Sequence, residues 1–260
     1  NLTSGVSTIY STNSAFAAVK SDGSVVTWGS SYSGGDSSGV SASLTSGVST
    51  IYSNFYAFTA LKSNGSVVTW GYSSNGGDST DVSANLTSGV STIYSNSSAF
   101  AALKSNGSVV TWGQSSAGGD STDVSANLTS GVSTIYSNSS AFAALKSNGS
   151  VVTWGQSSAG GDSTDVSANL TSGVSTIYST NSAFAAVKSD GSVVTWGSSY
   201  SGGDSSGVSA SLTSGVSTIY SNFYAFTALK SNGSVVTWGY SSNGGDSTDV
   251  SANLTSGVST

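Results

Sequence analysis

Residues Ala99 to Gly113 read AFAALKSNGSVVTWG, and this stretch decides the fold. Two apolar runs, AFAAL and VVTW, flank Ser105-Asn106-Gly107. Asn-Gly is the strongest short hairpin signal, because both residues tolerate the positive φ of a type I′ turn. The runs are apolar at successive positions instead of alternating, so each strand is expected to be covered on both faces. No helix fits: Val, Thr, Ser and Gly are poor helix formers and no stretch keeps a 3.6-residue period.

The stretch recurs every 42 residues, marked by Trp-Gly at Trp28, Trp70, Trp112, Trp154, Trp196 and Trp238. A period of this size means an array whose units bury apolar faces against their neighbours. The units are 1–42, 43–84, 85–126, 127–168, 169–210 and 211–252, and residues 253–260 restate the first eight. Three unit types follow one another in the order A-B-C-C-A-B. Because a seventh unit has begun and the chain contains no Met, it reads as a window of a longer array.

Around the central hairpin, unit three offers a first β-rich run at Val90 to Ser95 and a weaker fourth around Asp123 to Leu128 (DVSANL). An all-β fold of propeller-like blades is expected, with an open β-solenoid stack as the alternative.

Composition narrows the function. Twelve acidic and six basic side chains leave a net charge of −6, and one Lys per unit cannot form the cationic patch that nucleic acid requires. The chain has no His, Cys or Arg, so catalysis by those groups is excluded. No apolar run approaches the ~20 residues of a membrane-spanning helix. Asp pairs such as Asp78/Asp81 and Asp120/Asp123 are too sparse for an EF-hand and Gly39 and Gly207 replace the second member elsewhere, so they read as turn caps. No catalytic residue, metal or cofactor is implied. The strand-end lysines, Lys62 and its equivalents, read as solubilising groups, and the Trp as core.

At Ala99 to Gly113, followed by Gly118-Gly119-Asp120 and preceded by Gly89-Val90-Ser91-Thr92-Ile93, the chain resembles the regulator of chromosome condensation repeat family. The resemblance covers all six units. It implies a propeller, usually of seven blades. The chain departs from the family in its shorter repeat, in lacking the His before the Ala-Leu strand, and in having Gly-Gly-Asp for the commoner Gly-Gln-Leu-Gly. The founding member's exchange-factor activity is therefore not carried over.

The units differ mainly in two loops. After the first strand they read Thr12-Asn13-Ser14, Asn54-Phe55-Tyr56 and Asn96-Ser97-Ser98; after Trp-Gly they read Ser30-Ser31-Tyr32, Tyr72-Ser73-Ser74 and Gln114-Ser115-Ser116. Strands that change little beside variable loops describe a scaffold with a tunable surface. Phe55, Tyr56 and Tyr72, with their copies Phe223, Tyr224 and Tyr240, are the candidate contact residues. The leading expectation is a non-enzymatic extracellular or cell-surface scaffold, structural or adhesive, possibly part of an appendage or filament. Its partners would be neighbouring repeats or further copies of itself. The alternative is a closed propeller that presents the aromatic loops to a protein or glycan.

If the strands are apolar on both faces, one unit alone does not fold. A peptide of residues 85–126 is expected to show no cooperative melt while monomeric at micromolar concentration; a cooperative monomeric melt would overturn the array reading.

Overall fold

The computed structural model describes residues 2–258, divided after Val132 into two compact units. Each repeat folds into one three-stranded antiparallel sheet, giving six such sheets among the described residues. The first holds β1 (Val6–Ser11), β2 (Ala15–Lys20) and β3 (Val25–Gly29); the second holds β4 (Val48–Ser53), β5 (Ala57–Lys62) and β6 (Val67–Gly71). Every sheet draws its strands from a single repeat. In a solenoid, strands pair between repeats, so these sheets are propeller-like blades.

Sheets pack face to face through large side chains set against small ones. Along β2, Ala15, Ala17 and Val19 face the next blade, which answers with Ile51, Phe58, Ala60 and Trp70. At the following junction Ala57 and Leu61 receive Ile93, Phe100, Ala102 and Trp112. Alternation along one strand therefore serves two interfaces, which is why AFTAL and AFAAL read as continuously apolar. The first blade shows what the neighbour contributes. Phe16 in the first blade is 45% exposed, whereas the equivalent Phe58 and Phe100, each packed against the preceding blade, are 0% exposed. Removing a ring of that size from water contributes about 2 to 3 kcal/mol.

The rings seat in a notch left by glycine. Phe58 stacks on Trp70 at 5.3 Å, and the Trp70 indole N–H donates to the carbonyl of Gly34 in the preceding blade at 3.0 Å. A Cβ on Gly34 would lie 2.6 Å from the Phe58 ring, and this residue also holds φ at +92°. Gly76 repeats the arrangement beneath Phe100 and Trp112, with the indole bond at 3.1 Å. The first glycine of Gly-Gly-Asp is thus an interface residue.

Two local expectations are corrected. The hairpin is not type I′, since no residue other than glycine has positive φ. In the first hairpin the Gly23 N–H donates to Lys20 O and the Lys20 N–H to Ser24 O, while Gly23 alone sits at φ +75°. This is a type I turn closed by a glycine bulge. Asp22 holds it by accepting from the Ser24 amide at 2.9 Å. The Gly23 carbonyl then accepts from Val48 N–H in the next blade. A Cβ on Gly23 would meet Gly47 N at 2.6 Å, so close approach between blades also demands glycine here.

The expected fourth strand, DVSANL, is a 3-10 helix, Thr122–Leu128 in the third repeat and Thr80–Leu86 in the second. It starts where Asp78 accepts from the Thr80 amide at 2.9 Å, and Ser83 Oγ then turns back to Thr80 O at 2.8 Å. Such local bonds compete with strand pairing. Val82 and Leu86, four apart, pack into the junction core.

Trp112 is 4% exposed and carries the indole bond to Gly76 O. Trp112→Ala is expected to cost about 3 to 5 kcal/mol of unfolding free energy in denaturant titration. A loss below about 1 kcal/mol would place this Trp outside the core.

Candidate functional site

The two variable loops are separate in sequence and adjacent in space. In the second blade Asn54 accepts from the amides of Tyr56 and Ala57, each at 2.9 Å. Its own amide donates to Asn75 O at 2.6 Å, tying the loop after β4 to the loop after β6. The Tyr72 N–H completes the tie by donating to Tyr56 O at 3.0 Å. In the first blade Thr12 does the same work, bonding Ser33 O at 3.0 Å, and in the third Asn96 bonds Ala117 O at 2.6 Å. The first residue of the variable loop is therefore a structural pin. The residues after it are free to vary.

Adjacent blades are also joined at these loops. The Asn13 N–H donates to Phe55 O at 3.1 Å, and Ser53 Oγ donates to Ser11 O at 2.8 Å. Phe55, Tyr56 and Tyr72 thereby meet in one cluster: Phe55 lies edge-on to Tyr56 with ring centres at 6.3 Å, and Tyr56 edge-on to Tyr72 at 6.4 Å. A fourth ring, absent from the sequence-derived candidates, completes it. Tyr32 of the first blade stacks on Tyr72 at 4.2 Å. The outer rings carry most of the open surface, Tyr32 at 56% and Phe55 at 48% exposed, while Tyr56 and Tyr72 stand half-buried between them.

The second compact unit holds the same constellation. Tyr200 stacks on Tyr240 at 4.2 Å, Tyr224 lies edge-on to Tyr240 at 6.3 Å, and Phe223 approaches Tyr224 at 6.2 Å. Phe223 is 68% exposed. The third blade has Gln114, Ser115 and Ser116 in place of the tyrosine loop, with the Gln114 amide bonded to Ser116.

Electrostatically the cluster is closed on itself. Pairing with the Tyr72 hydroxyl holds the Tyr32 phenol above its ordinary pKa, and the same pairing, with Ser74, holds Tyr72 below it. The charges acting on Tyr32 come from Tyr72 and Tyr56. The lysines stand at the opposite strand end, β5 running from Ala57 beside the cluster to Lys62. There the Lys62 ammonium donates to Ser43 O at 2.8 Å, and Lys104 to Asn85 O at 2.8 Å, so these lysines fasten the end of the preceding 3-10 helix.

Among the described residues no group of three or more His, Cys, Asp or Glu could hold a metal ion. The Asp residues that open the 3-10 helices act as caps. Hydrogen bonds from the Thr80 hydroxyl and amide hold Asp78 below the usual carboxylate range, and Asp120 is lowered in the same way by Thr122. Asp36 is lowered by the Ser38 amide and hydroxyl. A groove of about 750 Å³ runs between the second and third blades past Asp78, Asp81, Thr111 and Asp120. Its walls are repeat positions common to the B and C units, unlike the aromatic cluster.

No protein-family model matches the chain, and no curated protein sequence matches it. Solved structures do. Human WBSCR16 is 15% identical with a TM-score of 0.50, over 92% of this chain and 77% of that one. Prp20p of Saccharomyces cerevisiae is 14% identical with a TM-score of 0.48, over 90% of this chain and 72% of that one. The ectodomain of the Physcomitrella patens receptor kinase CR4 is 14% identical with a TM-score of 0.46, over 90% of this chain; the chain spans 61% of that ectodomain's length.

The depressed Asp pKa values set the acid response. A carboxylate whose folded pKa lies below its unfolded value of about 3.9 stabilises the fold above that pH and stops doing so as pH falls through the folded value. The melting temperature is therefore expected to stay level from pH 7 to pH 5 and to drop below about pH 4. A melt equally stable at pH 2 and pH 7 would mean that the caps contribute nothing. With blade packing, Trp-Gly strand ends and glycine notches in view, the chain is an all-β protein of propeller-like blades whose repeat resembles that of the regulator of chromosome condensation family.

Proposed function

We propose that this chain is a non-enzymatic recognition scaffold, displayed outside the cell or at its surface, whose blades hold aromatic loops toward a macromolecular partner. The observation that carries the reading is the convergence of the two variable loops. Asn54 pins them together, and the B units fill the resulting edge with aromatic rings that the C units replace by Ser and Gln. Core and hairpin positions change little from unit to unit, Ala17 becoming Thr59, Val19 becoming Leu61 and Asp22 becoming Asn64. Aromatic side chains with one open face are the groups that most often anchor binding.

Blades of this kind are compatible with such a role in other proteins: Prp20p is described as binding Gsp1p and histones. At 14% identity the likeness speaks to fold, and the partners of that protein are its own. Sparse charge and the absence of Cys fit a surface or secreted setting that needs no disulfide framework. The structural or adhesive role fits the same setting, the aromatic loops then serving as its points of attachment.

The test exchanges Phe55, Tyr56 and Tyr72, and Phe223, Tyr224 and Tyr240, for the third unit's Ser97, Ser98 and Gln114. Retention on cellulose, chitin and immobilised proline-rich peptide is measured beside the melt. The parent is expected to be retained on at least one surface and the variant on none, with the variant still melting cooperatively although the lost ring pairs lower its stability. Equal retention of parent and variant, or retention of neither, would contradict the proposal.

A further inference from the structure

The stacked tyrosines belong to different blades, and only one order of units brings them together. Tyr32 occupies a position that is Ser74 in the B unit and Ser116 in the C unit; Tyr72 occupies a position that is Ser30 in the A unit and Gln114 in the C unit. A stacked pair therefore forms only where an A unit precedes a B unit. The chain has two such junctions, and both are built: Tyr32 with Tyr72, and Tyr200 with Tyr240, each at 4.2 Å. The remaining junctions carry Ser or Gln at both of these positions.

Magnitude and charge narrow the ligand. Four rings of about 200 Å² each, the outer pair about half exposed and the inner pair less, offer on the order of 300 Å² per cluster. A standard protein interface needs about 800 Å² from each partner. The patch is too small for a folded protein and suits a few sugar residues. Its rim is Ser, Asn and Tyr hydroxyl and amide groups, and the lysines Lys62 and Lys230 are engaged at the far strand ends. An anionic ligand would find no cation beside the rings. A pyranose, in contrast, sets an apolar C–H face against an aromatic face and turns its hydroxyls to a polar rim.

We propose that each A-to-B junction is a composite glycan-binding site, in which Tyr32 and Phe55, and likewise Tyr200 and Phe223, form a platform for a neutral polysaccharide strand laid across two blades. This rests on the recognition-scaffold reading and adds the ligand class and the dependence on unit order. Each compact unit carries one such site.

Isothermal titration of the full chain with cellohexaose and chitohexaose tests the proposal, with an anionic uronic-acid hexaose and a proline-rich peptide as comparisons. Binding of a neutral hexaose at two per chain is expected. Tyr32→Ser is expected to reduce this to one per chain. Tyr32→Ser with Tyr200→Ser is expected to weaken binding by about tenfold or more with the melt unchanged, because Ser already occupies this position in the B and C units. A chain reordered B-A-C-C-B-A keeps every loop and every ring but has no A-to-B junction, and it too is expected to lose binding. If the reordered chain keeps the parent's affinity, the composite site is wrong while loop recognition stands. If the parent binds only the anionic hexaose or the peptide, or none of the probes, the neutral-glycan assignment is overturned.

Discussion

One contact organises the blades: an indole and a phenyl ring from one repeat fill the space that a glycine leaves in the repeat before it. The Trp70 N–H bonds to Gly34 O at 3.0 Å while Phe58 lies where a Cβ on Gly34 would be. A buried indole N–H without a partner would cost about 1 to 3 kcal/mol, so the carbonyl is needed as much as the gap. Burial alone would let sheets slide over one another. The directed bond and the notch fix a single register between them, and repetition of that register makes the array.

This constraint explains where variation is allowed. Ala, Phe, Trp and the first glycine of Gly-Gly-Asp are committed to interfaces, the second glycine lies against the Trp-Gly backbone of its own blade, and the hairpin glycine is committed to the next blade. The Lys ammonium holds the preceding 3-10 helix. What remains is the pair of loops at the opposite end of the strands, pinned by Asn54 or Thr12 and otherwise unconstrained. Function is consequently written in a few positions per unit. Because neighbouring loops touch, it is written in pairs of units, as the stacking of Tyr32 on Tyr72 shows.

Much of this was legible in the sequence, and the misses have physical causes. Strand bounds at Val90–Ser95 and Ala99–Lys104 agree with the apolar runs, because in-phase recurrence leaves little freedom there. Asn-Gly located the hairpin but not its type: Asp22 and its Asn equivalents bond the backbone two residues on, which favours negative φ, and only the glycine turns left-handed. DVSANL carried one Val and one Leu four apart, a helical spacing too short to register as a period, and its Asp and Ser side chains supply the bonds a strand partner would have supplied. Tyr32 gives no signal within its own unit, because its stacking partner Tyr72 stands in the next. Variation between unit types marks Phe55, Tyr56 and Tyr72; juxtaposition of unlike units needs the fold.

A double-mutant cycle at one junction tests the notch most directly. Gly76→Ala places a Cβ 2.5 Å from the Phe100 ring, and Phe100→Ala removes that ring. Residual strain at φ +96° remains in both Gly76→Ala chains, so it cancels in the cycle. Unfolding free energies of the parent, the two single variants and the double variant give the coupling. If Gly76 exists to admit Phe100, the double variant loses less than the sum of the singles by about 1 to 3 kcal/mol. Additivity within about 0.3 to 0.5 kcal/mol would show that glycine and ring are independent, and the interface would then rest on something other than the notch.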